Sequence, residues 1–277
     1  MNYFKDKVAI VTGAASGIGK AICAELNRRG AEAVIAGIHV GNMDANAVGD
    51  RVHPVRVDVT KAEDMQKLVE ETVLEHRRLD FIFNNAGIAV GGELQEMELT
   101  HWRHIINVNL WGVIHGTMAA YPVMVKQGFG HIVNIASLGG LVPVPMLTPY
   151  ATTKHAIVGL STSLRGEATG LGVKVSVACP GFVRTGIYNS AIVVGANRQE
   201  VVDSLLSLRP IGPVSLKATK SDECACAILR GVEQNKAIIT IPSSSKLAWW
   251  LYRINPGLIS YLQRESVKKF RKLLNNR

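Results

Sequence analysis

Two side chains four positions apart carry the first chemical signal in this sequence. They are Tyr150 and Lys154, in the run Tyr150-Ala151-Thr152-Thr153-Lys154. On a helix, residues at that spacing lie one above the other on the same face. An ammonium beside a phenol favours the phenolate, so the spacing predicts a tyrosine pKa lowered from about 10 toward working pH. Such a tyrosine takes a proton from an alcohol or gives one to a carbonyl. The same spacing also fits an ordinary pair on a helix surface, so the surrounding elements decide its meaning.

Those elements alternate. Residues 7–12, KVAIVT, form an apolar, β-branched run that predicts a buried parallel strand. The turn Gly13-Ala14-Ala15-Ser16-Gly17-Ile18-Gly19 follows, then a helical pattern over 20–29 with Gly30 at its C-cap position. Further strands are predicted at 33–38, 52–57, 79–83, 131–136, 173–178 and 237–241. Helices are predicted at 61–76, 100–126, 149–169 and 222–234. Thr60 is the predicted N-cap of the helix at 61–76, with Glu63 as its capping-box partner. The alternation implies an α/β fold: a single doubly wound domain with a seven-stranded parallel sheet covered on both faces. The notable residues each fall just after a strand: the glycine turn, Asp58, Asn85, Ser137 and Pro180-Gly181. In such sheets, ligands bind beyond the carboxyl ends of the strands. A glycine-rich turn at that edge lets the backbone approach a pyrophosphate facing a helix N-terminus.

Composition narrows the class. The chain has 277 residues, 47% hydrophobic and 19% charged, enough to bury a sizeable core. Its four cysteines, Cys23, Cys179, Cys224 and Cys226, have no framework spacing. No metal site is expected, and a reducing cytoplasm is the simplest setting. The N-terminus does not read as a signal peptide, and no apolar run is long enough to predict a membrane span. The net charge is +9, but residues 246–277 hold eight Lys/Arg against the single acid Glu265, or +7 of that total. The body is therefore nearly neutral, and without a binding motif the charge does not predict nucleic-acid binding.

Taken in order, TGAASGIG (12–19), Asp58, NNAG (84–87), Asn109, Ser137, YATTK (150–154) and PGFVRT (180–185) resemble the short-chain dehydrogenase/reductase family over residues 6–242. The resemblance implies a Rossmann-type fold and a nicotinamide-dependent oxidoreductase acting on CH–OH groups. It implies a catalytic set of Asn109, Ser137, Tyr150 and Lys154. Tyr150 would be the general acid/base. Lys154 would lower its pKa and hold the nicotinamide ribose. Ser137 would bond the substrate oxygen, and Asn109 would anchor a water that links Lys154 to solvent. For the dinucleotide it implies Gly13, Ser16, Gly17, Ile18 and Gly19 at the turn and Gly37 and Ile38 at the end of strand two. Asp58 would accept the adenine amino group, with the backbone of Val59 beside it. Asn85, Ala86 and Gly87 would lie along the adenosine ribose. Pro180, Gly181, Val183 and Thr185 would meet the nicotinamide, Thr185 near its carboxamide or the phosphates. It also implies a homodimer or homotetramer through the helices carrying Asn109 and Tyr150.

The sequence departs from the pattern at position 37, where an acid would bond the ribose of NAD. Gly37-Ile38-His39 offers none, and His39 or Lys20 could meet a 2′-phosphate, so the reading leans to NADP. Leu138, Val142 and Met146 flank the expected site on one side. Ile187 and Tyr188 open the expected lid at 187–220, beside the flexible Gly186, on the other. These predict a lipophilic secondary alcohol or ketone as substrate, with core or interface packing as the competing explanation. Reduction of a 3-oxoacyl group, and a catalytically idle dinucleotide sensor or scaffold, are the other functional readings. The basic tail at 246–277, set apart from a catalytic domain at 1–245, pairs Trp249 and Trp250 with cations. It suits a solvated helix with a core-facing stripe, peripheral contact with a membrane, a cover over the substrate pocket, or a partner subunit.

Overall fold

The computed structural model describes residues 3–38, 48–187, 190–195 and 218–275. His39, Tyr188 and most of the 187–220 segment lie outside them.

Strands β1 (Val8–Thr12), β2 (Ala33–Ile38), β3 (Val52–Arg56), β4 (Phe81–Asn84), β6 (Gly130–Ile135), β7 (Val173–Pro180) and β11 (Ile238–Ile241) form one sheet in the order β11-β7-β6-β4-β1-β2-β3. Every pairing in it is parallel. Alternate side chains point to opposite faces. Ala9 and Val11 therefore enter one core with Ile22 and Leu26 of α1 (Gly17–Arg28) and Ile228 and Leu229 of α6 (Ser221–Glu233). Val8 and Ile10 enter another with Met65 and Leu68 of α2 (Ala62–His76) and Met124 of α4 (Gly112–Gln127). A third cluster joins Ile157 of α5 (Thr148–Glu167) to Val113, Ala136 and Val177. This double covering explains why the strands read as continuous apolar runs.

Two sequence expectations change. The helix predicted at 100–126 is instead α3 (Leu99–Ile106), a π-helical turn over Asn107–Trp111, and α4. Such turns are frequent at functional sites, and this one carries Asn109. Thr60 does not cap α2: position 61 is the N-cap, without a side-chain bond. Thr60 instead donates its N–H and hydroxyl to Asp58 Oδ1 (3.0 and 2.8 Å).

Short pairings unmarked in the sequence shape the far side. β5 (Val90–Gly92) runs parallel to β9 (Ile192–Val194), and β8 (Val183–Arg184) to β10 (Thr219–Lys220). After β11, the basic tail forms α7 (Ser245–Ile254) and α8 (Pro256–Asn275). No described helix is long and apolar enough to cross a membrane.

Candidate active site

The glycine turn joins β1 to α1 at the carboxyl edge of the sheet. Gly13 and Gly17 both have positive φ (64° and 56°), which an L side chain rarely adopts. A Cβ at Gly13 would lie 2.7 Å from Ala86 Cα, and one at Gly19 would collide with the Gly13 carbonyl and the Asn85 amide. The turn is locked from β4. Asn85 Nδ2 donates to the Thr12 and Gly13 carbonyls (2.9 and 3.2 Å), and Thr12 Oγ1 accepts from the Asn85 and Ala86 N–H groups (3.0 and 3.1 Å). Asn85, expected along the adenosine ribose, thus braces the turn, and Thr12 is a bracing residue that sequence reasoning missed. Ser16 is the extended N-cap of α1 without a side-chain cap bond, and the first turn carries no acid. These features fit a dinucleotide phosphate at a helix N-terminus. Thr185 packs here too: a Cβ at Gly17 would lie 3.3 Å from its Cβ and Cγ2.

The remaining cofactor-side residues divide between edge and core. Gly37 is in register with Thr12 near the end of β2, and Ile38 ends that strand. Asp58 follows β3, fixed by Thr60 and by its own N–H to Asp64 Oδ2 (3.0 Å). The Val59 carbonyl lies 2.9 Å from His115 Nδ1 of α4. Pro180 ends β7, and the Gly181 N–H donates to the Ile241 carbonyl (2.6 Å). Val183 and Ile18 depart from expectation. Val183 is buried in the first core cluster, so it would meet a dinucleotide through its backbone, and the half-buried Ile18 packs against that cluster.

Asn109, Ser137, Tyr150 and Lys154 converge next to this edge. Asn109 is fully buried; its Oδ1 accepts from the Ile88 N–H (2.8 Å), and its Nδ2 donates to the Ile88 carbonyl (3.0 Å) and to Thr153 Oγ1 (3.4 Å). A Cβ at Gly87 would stand 3.3 Å from Asn109 Oδ1 and 3.6 Å from Lys154 Nζ, so a side chain there would crowd both. Ser137 follows β6, accepts from the Gly139 N–H (3.1 Å) and hydrogen-bonds the Tyr150 phenol. Lys154 is buried and donates to the Ile135 carbonyl (2.9 Å).

The expected electrostatics of the Tyr150/Lys154 pair are reversed. Burial pushes the Tyr150 phenol above its ordinary value, although the Ser137 hydrogen bond pulls the other way. The side chain keeps some solvent access, so the direction matters here and not the size. Burial also brings the Lys154 ammonium down to about 8. Spacing alone could not anticipate this. Lys154 Nζ sits 5.6 Å from the Tyr150 ring centroid and is bonded to the strand backbone, while both groups lose hydration. Cys179, on β7, is buried beside the pair with its thiol pushed up to about 12, which keeps it neutral.

The substrate side is looser. Leu138, expected to line it, packs with Leu141 into the third core cluster, and Val142 is buried. These positions favour the packing explanation. Met146 is half-buried in the left-handed region (φ 67°), and its carbonyl accepts from the Gly92 N–H (2.8 Å). Val144 reaches toward the site: a Cβ at Gly139 would lie 3.0 Å from its Cγ2 and 3.8 Å from Tyr150 Cε1. Ile187 is half-buried, its N–H reaching Thr185 Oγ1 (3.4 Å). Helix α8 clasps this region. Gln263 Nε2 donates to the Pro143 carbonyl (2.6 Å), and Arg271 makes two 2.8 Å bonds to Glu93 just after β5. An open groove of about 400 Å³ runs between Pro145 and Gln263, Val267 and Arg271 of α8. It borders none of the four convergent residues, so it is distinct from the site around Tyr150.

Known proteins share this fold. The model of the short chain dehydrogenase family matches residues 7–192. A Mycobacterium tuberculosis protein named as the oxidoreductase SadH is 31% identical, and the match covers 98% of both chains. A Burkholderia phymatum short chain dehydrogenase/reductase in complex with NAD superposes with a TM-score of 0.81 at 28% identity, over 93% of this chain and 96% of that one. The 3-ketoacyl-(acyl-carrier-protein) reductase of Brucella melitensis complexed with NADH shares the fold, with a TM-score of 0.74 at 24% identity over 87% of this chain and 99% of that one. With its glycine cradle, its parallel sheet and a match to the family model over most of its length, the chain belongs to the short-chain dehydrogenase/reductase family of oxidoreductases.

Proposed function

We propose that the chain interconverts a lipophilic secondary alcohol and its ketone by hydride transfer with NAD(P)(H), with Tyr150 as the general acid/base. The observation that carries this reading is the convergence of Ser137, Tyr150, Lys154 and Asn109, drawn from a strand end, α5 and the π-helical turn, beside the glycine cradle. The dinucleotide, held at the carboxyl edge by Gly13, Ser16, Gly17, Gly19, Asp58, Gly87 and Thr185, would supply or accept the hydride. Every other step falls to this chain. Ser137 bonds the substrate oxygen and stabilises charge developing there. Tyr150 exchanges a proton with the same oxygen. Its phenol, held neutral by burial, is a proton donor, which suits carbonyl reduction. Lys154 holds the ribose hydroxyls. Asn109 keeps the backbone at Ile88 in place beside it and anchors the water that serves Lys154.

The reading extends to NADP as coenzyme, supported by the lack of a carboxylate at Gly37 in the sequence. The lipophilic substrate is supported by Val144, whose Cγ2 lies beside Gly139 next to Tyr150. A catalytic domain at 1–245 with a lid near 187–220, an extension at 246–277, a cytoplasmic setting and a homo-oligomer complete it. The test is a panel of hydrophobic ketones, secondary alcohols, 3-oxoacyl thioesters and sugars, followed by NAD(P)H absorbance with each coenzyme at equal concentration. Hydrophobic ketones should turn over, faster with NADPH. Tyr150→Phe should lower kcat by about 10²–10⁴ while dinucleotide binding persists. Preference for sugars or for NADH would overturn the substrate or coenzyme assignment. Dinucleotide binding without any turnover would favour the sensor reading.

A further inference from the structure

The basic tail is a built corner. Asn255 ends α7, where its N–H donates to the Leu251 carbonyl (2.9 Å), and its Oδ1 accepts from the Leu258 N–H (3.0 Å) to begin α8. The inner side of the corner belongs to the body. Ala248 and Ile259 are buried, Trp249 packs against the third core cluster, and Gln263 is bonded to Pro143. The outer side is apolar and unburied. Every residue from Arg253 to Leu258 is exposed, with Ile254 at 76% and neighbouring Trp250 at 52%. Leu247, Leu258 and Tyr261 extend this exposed set along the two helices. Large apolar side chains grouped in this way on one element mark an interaction surface.

The charge around the corner selects the partner. Exposed Lys246, Arg253 and Arg264 flank the apolar residues, and no acid occurs in the sequence between Glu233 and Glu265. A second copy of the chain meeting this face about a two-fold axis would bring like charges together. An anionic lipid surface instead offers opposite charge to the cations, an apolar layer to Ile254 and Leu258, and a headgroup boundary to Trp250 and Tyr261. We propose that the α7–α8 corner docks the protein peripherally on an anionic bilayer, with Trp250, Ile254, Leu258 and Tyr261 entering the interface. Because α8 also clasps Pro143 and Glu93, docking brings the 143–147 loop close to the lipid. The docking itself is independent of the reaction proposed above.

The test is co-sedimentation of the full chain with phosphatidylcholine vesicles, with and without phosphatidylglycerol, at low and high salt. Wild-type protein should sediment with the anionic vesicles and be released by salt. Ile254→Asp/Leu258→Asp should lower the bound fraction at least about tenfold, with melting temperature and light-scattering mass unchanged. Both positions are exposed, so the double variant keeps its fold. Absence of wild-type binding, equal binding to neutral vesicles, or full binding by the double variant would overturn the proposal. A wild-type assembly that this variant splits into smaller units would assign the corner to self-association and overturn it equally.

Discussion

At the glycine turn, backbone meets backbone: Gly13 lies against Ala86, Gly19 against Gly13, and Asn85 and Thr12 tie the contacts together. At the 143–147 loop, the fixing contacts are sparse and come from distant chain. They include one Gln263 bond and a Gly92 bond to a methionine in left-handed geometry, while an Arg271–Glu93 pair ties α8 to the end of β5 nearby. The first flank has no room for variation, whereas the second is held by side chains that can be exchanged without disturbing the sheet. In the proposed function, a site divided in this way would keep the task of holding a dinucleotide apart from that of admitting a substrate.

The largest effect should come from filling the tight flank. Gly19→Val drives side-chain atoms into the Gly13 carbonyl and the Asn85 amide. Overpacking of about 1–3 kcal/mol, if relieved by displacing the turn, corresponds to a loss of roughly five- to 150-fold in dinucleotide affinity. A fluorescence titration reads it directly, and an unchanged affinity would show that the turn is not the cradle.

Acid should separate the sheet from the loop contacts. His131 is buried in β6, its Nε2 2.8 Å from Ser176 Oγ and its Nδ1 without a partner among the described residues. Burial holds its pKa down to about 3, against an ordinary 6.5. The unfolded chain takes up this proton below 6.5 and the folded chain does not, so stability is full above 6.5 and falls as pH drops toward 3. The slope is about 1.4 kcal/mol per pH unit. Glu25, lowered to about 2 by Arg28 and Arg29, adds a loss in the same direction below its ordinary 4.5. Glu93 is held below 4.5 by Arg271, so the α8 contact stays charged from pH 6.5 to 5 while the sheet is already weakening. Denaturant melts at stepped pH should show the slope in wild type and a flatter one in His131→Gln.

The smallest effect should come from the loose flank. Arg271→Ala breaks a solvent-exposed pair, and such pairs contribute little to stability. It should leave the melting temperature and dinucleotide affinity unchanged while raising KM several-fold for bulky substrates. Equal loss with small and bulky substrates would show that the α8 contact does not shape the substrate side.

Much of the tight flank was legible in the sequence because parallel strands buried on both faces must be apolar, and the turn needs its glycines. Even so, the bonds by which Asn85 braces the turn and the burial of Val183 were not legible. Each outcome depends on which strand lies alongside, and local sequence does not carry that. On the substrate side, Leu138 in the core, the β5–β9 pairing and the Gln263–Pro143 bond were not legible, because each joins segments distant in the chain or depends on how they pack.

By itself the sequence determined the doubly wound sheet and the residues that follow its strands, because periodicity and glycine spacing are local properties, and the order of its motifs carried the resemblance to its family. Only the tertiary structure decided which way the pKa values of Tyr150 and Lys154 move. Stacking at i and i+4 promises a charge beside a phenol, but burial weakens the charge and the Ile135 carbonyl claims the ammonium. Tertiary structure likewise decided the two sides of the tail: Trp249 is turned to the core and Trp250 to the outside, a difference fixed by what α7 packs against.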